Sequence, residues 1–166
     1  MAIKAPIKII AVGKLREPFW KAAQEEYAKR LQTFTTRLEI IEVSDEATPD
    51  DASPAQENIG REREAERILA KIAPRDYVIA LDGSRGKSLT SPDFAAHLEN
   101  VLASGTAPGF TFVIGGSLGL HETVIERADL LLSFGAFTYP HQMMRIILLE
   151  QLFRAGKISA GQAYHK

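Results

Sequence analysis

Glycine-rich segments are the first part of the sequence that could bind a ligand. Residues 114–120 read Ile-Gly-Gly-Ser-Leu-Gly-Leu, and glycines at such a turn let a ligand approach the backbone closely. The GGxxG spacing differs from the GxGxxG motif of dinucleotide-binding folds and from the P-loop motif. A ligand-binding loop and a plain tight turn are therefore equally good interpretations of this segment.

A second such segment, residues 82–87, reads Asp-Gly-Ser-Arg-Gly-Lys. Arg85 and Lys87 could hold a phosphate there. Turns of this composition are more often solvated surface turns, and we favour that interpretation.

The third candidate is a loop, residues 134–140, followed by a long helix that ends near residue 156. Apolar residues occur nearly all round this helix, whereas a helix covered on one side needs a single apolar stripe. The extra apolar surface indicates either a dimer contact or a fully buried central helix, and the pattern alone favours neither.

Charge is distributed unevenly along the chain. Residues 39–66 hold ten Asp and Glu, whereas residues 141–166 hold four Lys and Arg against one Glu. The latter stretch also contains His141 and His165, two of the four histidines, so we predict a local basic site with titratable imidazoles. His97 and His121 are interpreted as ordinary solvated or capping side chains, and no cluster has metal-ligand spacing.

The elements that must position these segments alternate between β-branched runs and helical periodicity. Such alternation predicts an α/β fold with a mostly parallel sheet and helices on both faces, and ligands at the carboxyl ends of the strands. Residues 44–53 are polar and acidic and predict a mobile surface loop. Strands are predicted at residues 7–12, 38–43, 77–81, 110–114 and 130–133, and helices at residues 18–34, 54–73, 91–102, 122–127 and 140–156.

Composition excludes several classes of protein. The 166 residues are 45% hydrophobic and 25% charged, as is usual for one globular domain. The net charge of −1 argues against an extensive electrostatic footprint on nucleic acid. The absence of cysteine excludes disulfides, thiolate nucleophiles and cysteine zinc sites. The apolar run at residues 9–12 is too short for a signal peptide, so we expect a cytoplasmic protein.

Several motifs together resemble the RlmH family of bacterial rRNA methyltransferases, a compact branch of the SPOUT, or α/β-knot, class. The similarity extends over essentially the whole chain, and the C-terminal motif with its tail is the most specific part. The matching segments are residues 10–14, Leu81-Asp82 with Gly86-Lys87, residues 114–120, 138–145 and 149–155, and the tail Tyr164-His165-Lys166.

The resemblance implies a single SPOUT domain over residues 1–166, with a five- to six-stranded sheet and a C-terminal trefoil knot. It also implies a homodimer that binds no metal and no membrane. The implied substrate is a pseudouridine in 23S rRNA, methylated on N3 in assembled ribosomes. S-adenosylmethionine would be bound by Leu81, Gly116, Gly135, Ala136, Phe137, Thr138, Tyr139 and Pro140.

The chemistry of methyl transfer to a pyrimidine N3, which must lose its proton, leads to a hypothesis for the acceptor side. Arg154 is expected to stabilise negative charge or to hold RNA, while His141, Tyr164 and His165 shape the site. The small apolar stretch at residues 134–137 departs from the more polar loop of the family. Three alternatives remain: a SPOUT enzyme with another RNA target, a nucleotide-binding regulatory module, and a protein whose last helix only dimerises.

Overall fold

Six parallel strands form one sheet in the computed structural model, which describes residues 3–164. The strand order is β2-β1-β5-β3-β6-β4, and every pairing is parallel. The strands are β1 (Pro6–Val12), β2 (Arg37–Val43), β3 (Tyr77–Leu81), β4 (Lys87–Ser88), β5 (Phe110–Ile114) and β6 (Leu130–Ser133), and the helices are α1 (Pro18–Leu31), α2 (Pro54–Leu69), α3 (Ser91–Ala103), α4 (Glu122–Arg127) and α5 (His141–Ser159).

The two faces of the sheet bury different side chains because successive residues of a strand point in opposite directions. In β1, Ile7 and Ile9 pack with helices α1, α3 and α5, whereas Ile10 and Val12 pack with α2 and α4. Both faces are thus covered, which explains why the central strands are continuous apolar runs. The predicted α/β fold with helices on both faces is confirmed.

Local signals set most of the helix starts. Pro18, Pro54 and Pro92 stand in the first turns of α1, α2 and α3, where a missing N–H costs nothing. At α2, Ser53 and Gln56 form a reciprocal capping box. All five predicted strands and all five predicted helices are present, with ends that differ by a few residues.

Strand β4 was not predicted. Its two residues, Lys87 and Ser88, are exposed and polar, so the sequence carries no apolar signal for it. The pairing with β6 extends the sheet by one short edge strand. The sheet therefore has six strands rather than the five that the hydrophobic pattern predicts, within the range that the family resemblance implies.

The loop at residues 44–53 is irregular, as predicted, and its beginning is tied to α2. Arg67 donates a 2.8 Å hydrogen bond to the Ser44 carbonyl and pairs with Glu46. The Glu46 amide donates to Glu64 at 2.9 Å. The first residues of this loop thus have fixed partners.

The threading of the chain into a knot, which the family resemblance implies, stays a prediction.

Arg145 is buried inside the fold, and its exposed fraction is only 1%. Its guanidinium donates to the Glu42 carboxylate at 2.7 Å, to Gln24 at 3.1 Å and to the Gly13 carbonyl at 3.2 Å. These bonds join α5 to β2, α1 and the loop after β1. The sequence pattern counts Arg145 among the four Lys and Arg of the predicted local basic site, and that assignment is wrong because Glu42 pairs with it inside the protein.

We expect Arg145→Ala to lower the free energy of unfolding by about 3 kcal/mol, because removing one member of a buried pair leaves its partners without compensation. Urea unfolding at neutral pH measures this change. Arg37→Ala is the control, since the Arg37–Glu39 pair has 73% of the arginine side chain exposed and should contribute less than about 1 kcal/mol. Equal losses in the two variants would contradict this interpretation.

Candidate functional site

Three loops at the carboxyl ends of β3, β5 and β6 enclose a cavity of about 850 Å³. Because these strands are neighbours in a parallel sheet, their following loops must emerge side by side. The lining includes residues of all three segments that the sequence singled out, and the first turn of α5. The lining residues are Leu81, Asp82, Gly83, Ser84, Ile114, Gly115, Gly116, Ser117, Gly119, Leu132, Ser133, Phe134, Gly135, Ala136, Phe137, Thr138, Tyr139, Pro140, His141 and Met144.

The turn after β5 is tight and also lines the cavity, so both interpretations of residues 114–120 apply. Gly116 and Gly119 bridge each other across the turn, with a 3.1 Å hydrogen bond from the Gly119 amide to the Gly116 carbonyl. A Cβ on Gly116 would lie 3.0 Å from the Val12 side chain and 3.5 Å from the Glu64 carboxylate. The backbone therefore sits directly against α2 and β1 and leaves its other side to the cavity.

The Asp82 carboxylate organises the turn after β3. It accepts hydrogen bonds from the Ser84 and Arg85 amides, both at 2.9 Å, and from the Ser84 hydroxyl at 2.8 Å. Burial raises the pKa of Asp82, but these hydrogen bonds outweigh it and hold the pKa below its usual value. Asp82 is therefore ionised at neutral pH at the cavity wall.

The two cations of this turn do not form a phosphate cradle. Arg85 pairs with Asp82 at 3.2 Å and with Glu122 at 2.9 Å, and Lys87 lies on the exposed strand β4. The favoured interpretation as a solvated turn agrees with this arrangement, although the turn also lines the cavity. Gly86 is required here, because a Cβ would lie 2.3 Å from the Asp82 carbonyl oxygen.

The loop after β6 is fixed at its base by the Ser133 hydroxyl. The hydroxyl lies within hydrogen-bond distance of the Gly83 and Gly135 carbonyl oxygens, at 3.3 and 3.2 Å, and accepts from the Gly135 amide at 3.2 Å. Ser133 thus links the loops that follow β3 and β6. The sequence analysis included Asp82 in a candidate segment but gave its carboxylate no role. It gave Ser133 none either, and the only signal for Ser133 was its position at the end of a predicted strand.

His141 opens α5 at the edge of the cavity and faces the loop after β1. Its Nε2 lies 3.3 Å from the point that a Cβ on Gly13 would occupy. Burial lowers the pKa of the His141 imidazole and the Arg145 guanidinium lowers it further, while Asp45 and Glu17 act in the opposite direction. The ring is therefore mostly neutral at pH 7 and able to accept a proton.

Arg154 and Tyr164 lie at the opposite end of α5. Thirteen residues separate Arg154 from His141, which is about 20 Å along a helix. Arg154 donates to Glu150 at 2.8 and 3.0 Å, and its guanidinium lies 4.7 Å from the centre of the Tyr164 ring. One chain therefore does not bring the expected acceptor-side residues together, and His165 lies outside the described residues.

Residues 3–164 contain neither a metal-binding cluster nor a membrane-spanning helix. No group of three or more histidine, aspartate and glutamate side chains stands close enough to hold a metal ion. In that same part of the chain, no helix has both the length and the apolar character needed to span a membrane.

The proteins that this chain resembles in sequence are described as methyltransferases. The family model described as "Predicted SPOUT methyltransferase" matches residues 5–165. The chain is 52% identical to ribosomal RNA large subunit methyltransferase H of Carboxydothermus hydrogenoformans and 51% identical to that of Ligilactobacillus salivarius. Each alignment covers 96% of this chain and 99% of the relative.

Solved structures share the fold at low sequence identity. A putative methylase family protein from Neisseria gonorrhoeae superimposes with a TM-score of 0.56 at 14% identity, covering 99% of this chain and 87% of the other. A tRNA (m1G37) methyltransferase from Aquifex aeolicus gives 0.52 at 13% identity, covering 90% and 69%. At these identities the likeness shows the fold alone.

The environment of His141 predicts how it titrates. Its pKa should lie below the ordinary value of 6.5, and the folded state should therefore lose stability as the pH falls from about 6.5 through that lower pKa. Nuclear magnetic resonance of the histidine rings measures the midpoint, with the signal assigned by its absence in His141→Gln. A midpoint above the ordinary value would contradict this environment.

Proposed function

The chain belongs to the SPOUT methyltransferases, in the family of ribosomal RNA large subunit methyltransferase H, and from this we propose its reaction. It transfers a methyl group from S-adenosylmethionine to N3 of a pseudouridine in 23S rRNA, in assembled ribosomes. The whole chain acts as one SPOUT domain. Because ribosomes are its substrate, the protein acts in the cytoplasm.

One observation carries this proposal: every residue that the family resemblance gives to the cofactor lines the same cavity. The eight residues come from three segments that are separate in sequence: the end of β3, the turn after β5 and the loop after β6. A sequence resemblance does not require that they meet in one place. Their convergence is expected if they bind one ligand together.

The cavity suits S-adenosylmethionine in size and chemistry. Its volume of about 850 Å³ is within the range of small-molecule sites, roughly 300–1,000 Å³. Backbone at Gly116 and Gly135 can approach an adenosine closely, and the ionised Asp82 offers an acceptor for hydroxyl or ammonium groups. When bound, the cofactor supplies a methyl group on a sulfonium, so the protein mainly has to align the reacting atoms.

The acceptor nitrogen must lose a proton before it can attack a methyl group. His141 lies at the cavity edge with its imidazole mostly neutral, because burial and Arg145 lower its pKa. It is therefore placed to shape the acceptor site and to accept that proton. Arg154 is the cation that would stabilise the resulting negative charge.

We assign the Arg154 end of the site to a second copy of the chain. Arg154 and Tyr164 are held together about 20 Å along α5 from His141. In a twofold dimer with α5 helices running antiparallel, the end of one helix reaches the start of the other. Half-buried Met143, Ile146 and Ile147 on α5 provide apolar surface for such a contact.

The ribosomal substrate is supported by the relatives and by the charge of the protein. The relatives at about 50% identity are named as methyltransferases of large-subunit ribosomal RNA. A net charge of −1 suits an enzyme that recognises one folded surface by shape and stacking, rather than RNA in general by charge.

Methyl transfer to intact ribosomes tests this function. With radiolabelled S-adenosylmethionine, we expect label in 23S rRNA of ribosomes from a strain that lacks the modification. A short isolated stem-loop and bulk tRNA should accept little. Mass spectrometry then identifies the methylated nucleotide. Label in tRNA would instead indicate another SPOUT target, and calorimetric binding of ATP or NAD without S-adenosylmethionine would indicate a nucleotide-binding module.

Mixing two inactive variants tests the composite site. Arg154→Ala should reduce methylation while leaving cofactor affinity nearly intact. Gly116→Val should abolish cofactor binding, because its side chain would collide with Val12 and Glu64 and displace the turn that lines the cavity. Co-expressed, the two variants form mixed dimers that contain one complete site if Arg154 acts on the partner subunit's cavity. Recovery of activity supports that arrangement, and its absence in verified mixed dimers would contradict it.

A further inference from the structure

Phe137 is the most exposed of the large apolar side chains in the described part of the chain. Its exposed fraction is 81%, against 62% for Phe19 and 48% for Ile59. Phe19 stacks on Trp20, with 4.9 Å between ring centres, whereas no ring contact involves Phe137 within residues 3–164. An isolated exposed apolar residue is common, so its location decides whether it has a role.

That location is the mouth of the proposed cofactor cavity. Phe137 stands in the middle of the loop between β6 and α5, and its neighbours Ala136 and Thr138 are exposed as well. The family resemblance places it among the cofactor-binding residues. With about four-fifths of the residue accessible to solvent, the ring packs against little of the protein and is free to contact a bound molecule.

The loop that carries Phe137 is anchored at both ends. On one side the Ser133 hydroxyl bridges to Gly83 and Gly135. On the other side the Pro140 carbonyl accepts the Met144 amide at 3.0 Å and begins α5. The ring is thus presented from a loop with fixed ends, close to where a methyl group would be transferred.

A phenyl ring has no hydrogen-bonding group, so it can offer a partner only its face and edge. A nucleobase offers the complementary surface, because every base has a π face and stacks on aromatic side chains. A base that accepts a methyl group must also leave its own stack to reach the donor, and the enzyme has to replace the lost stacking.

We propose that the Phe137 ring stacks on the acceptor base and holds it at the mouth of the cavity. This inference rests on the proposed function and changes the role of the side chain from cofactor contact to substrate recognition. The neighbouring side chains are compatible with a bound base. Ala136 is small and leaves room for the base, and Thr138 can donate or accept a hydrogen bond.

The test compares four variants in steady-state methylation of unmodified ribosomes. Phe137→Ala should raise KM by about 5- to 150-fold, the range for loss of one base–aromatic stack. Phe137→Trp should restore KM because it keeps an aromatic face, whereas Phe137→Leu, of similar bulk without one, should not. Ile59→Ala removes an exposed apolar side chain outside the cavity lining and should behave like the unaltered protein.

Two further readouts separate the alternatives. Calorimetry should give the same affinity for S-adenosylmethionine in all four variants, and co-sedimentation with unmodified ribosomes should weaken only for Phe137→Ala and Phe137→Leu. Weaker cofactor binding in Phe137→Ala would overturn the inference in favour of a cofactor contact, and dissociation of the dimer would overturn it in favour of a subunit contact. A Phe137→Leu variant with unaltered KM would also overturn it.

Failure of the proposed function has a different signature. In that case the unaltered protein and Ile59→Ala would neither bind nor methylate the ribosomes, and the inference about Phe137 would fall with it. If both are active and Phe137→Ala matches them in KM and co-sedimentation, only the stacking role is wrong.

Discussion

The buried guanidinium of Arg145 holds together the segments on which the rest of the structure depends. Removing such a charge from water costs several kcal/mol, and the Glu42 carboxylate, the Gln24 amide oxygen and the Gly13 carbonyl offset that cost. These three acceptors fix the first turns of α5 against the loop after β1. Because His141 is one turn before Arg145, the same interaction sets the position of His141. Burial lowers the pKa of its imidazole, and the Arg145 charge lowers it further.

The order of strands in the sheet then determines where a ligand can bind. β3 lies between β5 and β6, and all three run in the same direction. Their loops must therefore leave the sheet next to one another. Hydrogen bonds from Ser133 and within the Asp82 turn join the loops after β3 and β6 into one wall of the cavity.

Much of this arrangement is readable from the sequence, because β-branched runs and helical periodicity mark the elements, and glycine-rich segments after strands mark the cavity. The short strand β4 could not be predicted from the sequence, because Lys87 and Ser88 are exposed and polar and give no hydrophobic signal. Arg145 is not readable either, because a lone arginine in a helix resembles any surface cation until its acceptors are known. The distance between His141 and Arg154 depends on the straight course of α5, and whether they act together depends on a second chain.

The wide separation of the cavity loops along the chain has a consequence for synthesis. Residues 82–84, 115–117 and 134–141 contribute to the cavity lining, and β6, which orders the third of them, follows β3 and β5 in the sequence. Parallel pairing between such distant strands forms slowly. A nascent chain emerging from the ribosome would therefore remain unable to bind its ligand until β6 and the loop after it have been translated, so ligand binding can stabilise the polypeptide only from that point on.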